Sequence, residues 1–406
     1  MKKYKLTFII FMIILFFLIT EINAFPVQQI DKQQDIQYLS NNTLKKIYDD
    51  VTWMKYYGKL FGSEQGKSVA QTDDGGYIFL SSGIGLVKVD SYGNVEWEKP
   101  WGGLNVITTM DGGYMIMGGG YSDIWLLKLD SFGDEEWVYY YGGDDHEVLN
   151  YYYSDGAIQQ TTEGGFIFTC STRSYVPNDV EISAWLVKTD MNGMEEWNTT
   201  FSLDDSTWGY SVQQTTDGGF ILGGYSAPNN FYNGFLIKTD PYGNEEWTRT
   251  YNDSGKGYFV CQTSDGGYIL AGESGDTFVI KTDSQGQEEW KIFLPREIGS
   301  LVFSIDYTSD NGLILACNTG YRPGSLGLCL VKIDENGNIE WSKTFTENES
   351  AGYCVRETND GGFILIGYKY QLDISIYLFC DTWLIKTDSM GNAEKIDSSY
   401  PIINMI

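Results

Sequence analysis

The stretch Thr216-Asp217-Gly218-Gly219-Phe220-Ile221-Leu222, TDGGFIL, decides the fold, because close variants of it recur along the chain. Aligned on the Gly-Gly step, seven units fall at Gly75, Gly112, Gly164, Gly218, Gly266, Asn311 and Gly361. A unit of this length is a propeller blade in size. Each unit holds four short apolar segments, of which GYSVQQT, GGFILGG, GFLIKTD and EEWTRTY within 209–251 are the clearest. Segments this short, rich in Val, Ile, Leu, Thr and aromatics and punctuated by Gly and Asp, read as strands.

The turns between them have their own chemistry. In Asp240-Pro241-Tyr242-Gly243-Asn244 the Asp can cap a turn, Pro presets φ, and Gly takes a left-handed conformation. The form recurs as DSYGN, DSFGD, DMNGM, DSQGQ, DENGN and DSMGN. These turns lack the alternating oxygen ligands of a calcium loop. The expected fold is all-β, a seven-bladed β-propeller of four-stranded antiparallel blades, whose radial closure protects the sheet edges.

Closure requires a strand from the other terminus. A Trp marks the outer strand at Trp53, Trp97, Trp137, Trp197, Trp247, Trp290 and Trp341, whereas the matching final position is Lys395. The N-terminal VTWMKYY is therefore expected to complete the seventh blade, leaving NAEKI peripheral. Two further columns run through the units. Lys88, Lys128, Lys188, Lys238, Lys281, Lys332 and Lys386 share one place in the third strands, and Asp74, Asp111, Glu163, Asp217, Asp265, Asp310 and Asp360 precede the hairpin glycines. The two columns meet at one face of an up-and-down blade, so each Lys is expected to pair with the acid of its own blade, Lys238 with Asp217. A feature present in every blade is structural rather than catalytic.

These segments resemble the tandem repeats QTxDGGYIxxG…WLIKTDxxGNxxW of secreted archaeal and bacterial propeller proteins, over residues 51 to about 396. More distantly, Asp240 to Trp247 is similar to the Trp docking motif of quinoprotein dehydrogenases, in which an Asp, a turn Gly and a Trp lock adjacent blades. The resemblance implies a blade type. Those dehydrogenases use a vicinal Cys pair, and this chain has no adjacent cysteines, so no cofactor is expected.

Residues 1–24, MKKYKLTFIIFMIILFFLITEINA, set Lys2, Lys3 and Lys5 before an apolar run and end in Ala24. That is the pattern of a signal peptide, or of an uncleaved anchor, and places the protein in a secreted or cell-surface location. Residues 25–50 read as a polar tether, 51–396 as the propeller and 397–406 as a C-terminal tail. The chain carries 55 acidic against 27 basic residues, which makes nucleic acid an improbable partner. A monomer is expected.

Chemistry is sparsely marked. The single histidine, His146, lies in the acidic loop GGDDHEVLN. Asp144, Asp145, His146 and Glu147 offer a cation ligands, but a charged loop is ordinarily solvated, and no metal site is assigned. No phosphate loop or nucleophile elbow is present. A carbohydrate-active hydrolase using two carboxylates is the enzymatic alternative, resting on fold analogy.

Irregularity is confined to one side. The first-to-second and third-to-fourth turns keep their length, while the connections on the opposite face vary widely. The long ones are 139–156, 171–184, 225–234, 318–327 and 368–382. Loops on a rigid scaffold carry binding residues disproportionately, although neutral drift would give the same pattern. Tyr139, Tyr140, Tyr141, Tyr151, Tyr152, Tyr153, Phe231 and Tyr232 are the candidates for a glycan or an extracellular protein partner, since such rings suit sugar faces and protein hot spots. Cys317 and Cys329 fall opposite one another in the sixth blade, placed for a disulfide in an exported chain.

Overall fold

The computed structural model describes residues 52–59, 62–119, 123–144, 147–148, 156–176, 180–204, 206–228, 231–252, 254–319, 327–345, 350–372 and 378–394. The leader, the tether, Lys395 and the C-terminal tail lie outside them.

The strands form seven antiparallel sheets. In chain order the blades span 66–99, 105–141, 147–201, 207–251, 256–293, 301–344 and 350–387. The fourth blade shows the plan: Thr207–Gln214, Phe220–Ser226, Asn233–Thr239 and Glu245–Tyr251 run from the inside outward. The two middle strands are buried along their whole length because neighbouring blades cover both faces. The outer strand begins with exposed glutamates and ends on a buried Tyr251. In the third blade the inner strand comes as two pieces, Glu147–Val148 and Ile158–Gln160, both paired to Phe166–Thr172.

The seventh sheet takes its outermost strand from Trp53–Tyr57, antiparallel to Leu378–Thr387, with Trp53 opposite Lys386. Every other blade repeats that register between its Trp and its Lys, as in Trp247 opposite Lys238. The hydrophobic clusters lie between blades. Ile221 and Leu236 of the fourth blade pack with Val260, Leu270, Phe278 and Ile280 of the fifth, and Trp53 and Leu384 pack with Val69, Phe79 and Val87 of the first. Burying one such side chain stabilises the fold by about 1.5–3 kcal/mol, so the joints between blades carry most of the apolar driving force. Among the described residues no helix is long and apolar enough to cross a membrane.

Candidate functional site

The two faces of the propeller differ in kind. On the face of constant turns, Lys238 Nζ lies 3.0 Å from Asp217 and 3.1 Å from Glu246. Lys88, Lys128, Lys281 and Lys332 each reach the corresponding Asp and Glu of their own blade, and Lys386 reaches Asp360 at 2.7 Å. In the third blade, where the acid is Glu163, Lys188 pairs with Glu196 at 2.8 Å, and the Gln214 amide of the next blade contacts Glu163. The lysines are buried and their carboxylates mostly exposed. The glutamate before six of the outer-strand Trp residues is a partner that the sequence reading missed, although the recurring Glu-Trp pair was its signal; Trp53 follows Thr52 instead.

This cluster explains both hairpin glycines. Gly218 has φ of 86°, and Asn311, the one departure, has φ of 67°, a conformation Asn tolerates. A Cβ on Gly219 would collide first with the Thr239 carbonyl of the third strand and would lie 2.6 Å from Lys238 Nζ, so the second glycine leaves room for that backbone and for the ammonium. The Asp also accepts from the Thr two residues before it and from the second Gly amide. Partial burial pushes the Asp74, Asp111 and Asp265 carboxyls up, but the ammonium, Thr hydroxyl and Gly amide together outweigh it and hold them at about 2.

The inner strands enclose a channel of about 600 Å³, lined by residues from all seven blades, among them Gln159, Gln213, Cys261, Asp306 and Arg356. Its wall is tied by side chains that accept backbone N–H groups of the neighbouring blade. Gln160, Gln214 and Gln262 accept from Met110, Thr162 and Thr216, and Gln71 accepts from Asn359, joining the last blade to the first. The recurring Gln before the Thr therefore binds blades together, and Asp306 is engaged in the same way by the Glu357 amide.

On the variable face the candidate residues separate. Phe231, 70% exposed, and Tyr232 stand in the second-to-third connection of the fourth blade. Tyr232 meets Tyr225 edge to face at 5.5 Å, Lys256 Nζ lies 4.6 Å from the Tyr232 ring, and the buried rings of Tyr210 and Tyr258 continue the cluster inward. A shallow depression of about 460 Å³ lies beside them, lined by Phe231, Tyr232, Gly255, Lys256, Glu273, Ser274 and Gly275. Its carboxylate, Glu273, accepts from the Tyr258 hydroxyl at 2.9 Å. Lys256 was not among the sequence candidates, and only the fold brings it to Tyr232.

Tyr139, Tyr140 and Tyr141 are not in a loop: they finish the outer strand Glu135–Tyr141 of the second blade, at the propeller rim. Tyr139 packs on Trp137 at 5.4 Å, and Tyr140 is exposed. Tyr141 is buried and donates its hydroxyl to the Gly193 carbonyl of the third blade at 2.6 Å, which removes it from any binding surface. Tyr151, Tyr152, Tyr153, Asp145 and His146 lie outside the described residues. Cys317 and Cys329 are directly opposed in register, yet both are free, buried thiols. The Cys329 thiol donates to the Ile298 carbonyl and hydrogen-bonds with Cys317, so the pair placed for a disulfide serves as packing. Among the described residues no three His, Cys, Asp or Glu side chains converge to hold a metal.

No protein-family model and no curated protein matches the chain. Among solved structures, the propeller of Dos1 is similar, with 12% identity over 82% of this chain and 80% of that one and a TM-score of 0.50. Sqt1 of Saccharomyces cerevisiae is 8% identical over 84% of this chain and 89% of its own, with a TM-score of 0.51. A protein of unknown function from Bacteroides caccae is 13% identical over 70% and 92% of the two chains, at a TM-score of 0.45. At such identities the likeness to Dos1 and Sqt1 is one of fold alone.

Proposed function

We propose that this propeller is a binding module that works outside the cytoplasm and takes a glycan or an extracellular protein on its variable face. The observation that carries the reading is the group formed by Phe231, Tyr232 and Lys256. Two exposed rings with an ammonium beside them border an open depression. Aromatic rings offer apolar faces at low entropic cost, and the Lys256 ammonium and Ser274 hydroxyl add polar contacts, which matches a sugar best. The signal-peptide pattern of residues 1–24 supports the location. Hydrolysis of a glycoside would need two carboxylates flanking the bond, whereas among the described residues the depression is lined by one, Glu273, which Tyr258 already engages.

The test is a glycan array and a screen of secreted proteins, probed with the chain lacking its leader and repeated with Phe231→Ala, Tyr232→Ala and Lys256→Ala. A bound glycan or protein whose affinity falls at least tenfold in the ring variants supports the site. Binding that survives all three substitutions in a folded protein would place the site elsewhere.

A further inference from the structure

The connection from the second to the third blade carries a feature that the sevenfold repeat does not explain. Glu147 opens the inner strand piece Glu147–Val148, opposite Thr172, and is fully buried. Its Oε1 accepts from the Thr172 hydroxyl at 3.1 Å. Its Oε2 is buried and meets no hydrogen-bond donor among the described residues. A buried carboxylate oxygen in that state is costly unless a positive charge or a proton meets it.

A second carboxylate points to the same spot. A Cβ built on Gly142 would stand 2.5 Å from Asp123 Oδ1 and 2.7 Å from Glu147 Oε2. Two oxygens at those distances from one point are at most about 5.2 Å apart, and any side chain on residue 142 would collide with both. The Gly142 carbonyl accepts from the Tyr175 hydroxyl at 2.9 Å and keeps a second lone pair.

This arrangement is not the general form of the joint. In the next connection the corresponding positions hold Ser183, Ser202 and Thr207: the two serine hydroxyls bond at 2.6 Å, and the Thr207 hydroxyl accepts from Leu203. Acid, glycine and buried acid do recur between the seventh and first blades. There Gly58 faces Asp381, and Glu64 is buried with an Oε2 that finds no donor among the described residues. At that joint burial, with Asp381, pushes the Glu64 carboxyl up against backbone hydrogen bonds and the charge of Lys59, whose ammonium donates to the Gly83 carbonyl.

We propose that Asp123 and Glu147, with the Gly142 carbonyl, bind a calcium ion. The donors are hard oxygens, two of them anionic, and calcium accepts carboxylates, carbonyls and waters in irregular geometry. The ion would relieve the repulsion of two converging carboxylates and tie the second blade, through Asp123, to the first strand of the third.

The experiment uses the full chain stripped with chelator. Its Tm is followed against calcium at millimolar concentrations, the range of extracellular modules, and terbium luminescence excited through tyrosine gives a second readout. The expected result is a saturable rise in Tm that is lost in Glu147→Gln and in Asp123→Asn and kept in Glu64→Gln. If Glu147→Gln fails to fold, Asp123→Asn, at the less buried partner, decides. No rise in the wild type overturns the site, and so does an undiminished rise in the Asp123 and Glu147 variants. A pair that instead shares a proton would show no calcium response and a higher apo Tm in Glu147→Gln, which also overturns it.

Discussion

Trp53 lies against Gly93. A Cβ at Gly93 would stand 2.8 Å from the Trp53 ring, and the indole N–H donates to the Ser91 carbonyl at 3.0 Å. The strand that completes the seventh blade thus docks its Trp under a turn of the first. The same contact passes round the ring, from Trp97 to Gly133, Trp137 to Gly193, Trp197 to Gly243, Trp247 to Gly286, Trp290 to Gly337 and Trp341 to Gly391. Trp53→Ala removes a fully buried ring and is expected to cost about 3–5 kcal/mol in urea unfolding. Gly93→Ala is expected to destabilise as well, since φ is 71° and the new methyl meets the indole. A loss within about 0.5 kcal/mol for Trp53→Ala, the scale of an ordinary surface change, would show that the joint contributes little.

The carboxylates beside the buried lysines set the response to acid. Asp74, Asp111 and Asp265 are held at about 2, whereas an Asp in an unfolded chain titrates near about 3.9. Between those values the unfolded chain binds protons that the folded one does not. The stabilisation is therefore complete above about pH 4 and is lost as the pH falls toward 2. The Tm of the wild type should drop steeply over that window. The triple variant Asp74→Asn, Asp111→Asn, Asp265→Asn should start lower at neutral pH and drop less. An equal drop in both proteins would remove these residues as the cause.

What could be read from the sequence was what the chain repeats. Gly218 and Gly219, Lys238, Asp217 and Trp247 stand in columns, and a column reports a position whose physical demand is the same in every blade. The Tyr139–Tyr141 run was misread because the Gly-Gly after it resembles a loop start. Its alternation was nonetheless available: Trp137, Tyr139 and Tyr141 are two residues apart and share one face of a strand, with Tyr140 on the other. Contacts made once were not legible. Lys256 above Tyr232 and Asp123 near Glu147 join connections that do not follow the sevenfold columns, and only the closed ring brings them together.

That alternation gives a test at the rim. Tyr141→Phe deletes a buried hydroxyl that serves the Gly193 carbonyl and should cost about 0.5–1.5 kcal/mol in chemical denaturation. Tyr140→Ser, at a position 67% exposed, should stay within about 0.5 kcal/mol of the wild type. The reverse ranking would contradict the assignment of Tyr141 to the joint between the second and third blades.

Lys67 gives a pH dependence of opposite sense to that of the acids. It sits at the variable end of the first blade's inner strand, with Nζ 4.5 Å from the Tyr353 ring and 3.0 Å from the Gln65 side-chain oxygen. Burial strips water from the ammonium and lowers its pKa to about 8, against a smaller opposing pull from Cys380. An unfolded lysine titrates near about 10.4. From about pH 8 to 10 the unfolded chain therefore holds a proton that the folded chain has shed, so this group's contribution to stability rises with pH across that window. Lys67→Met keeps the stem that packs on Tyr353 and removes the charge. The variant should match or exceed the wild type in Tm at pH 7, and the difference in its favour should shrink as the pH approaches 10. A wild-type and variant pair whose Tm difference stays constant from pH 7 to 10 would show that Lys67 keeps an ordinary pKa and is better hydrated than its burial implies.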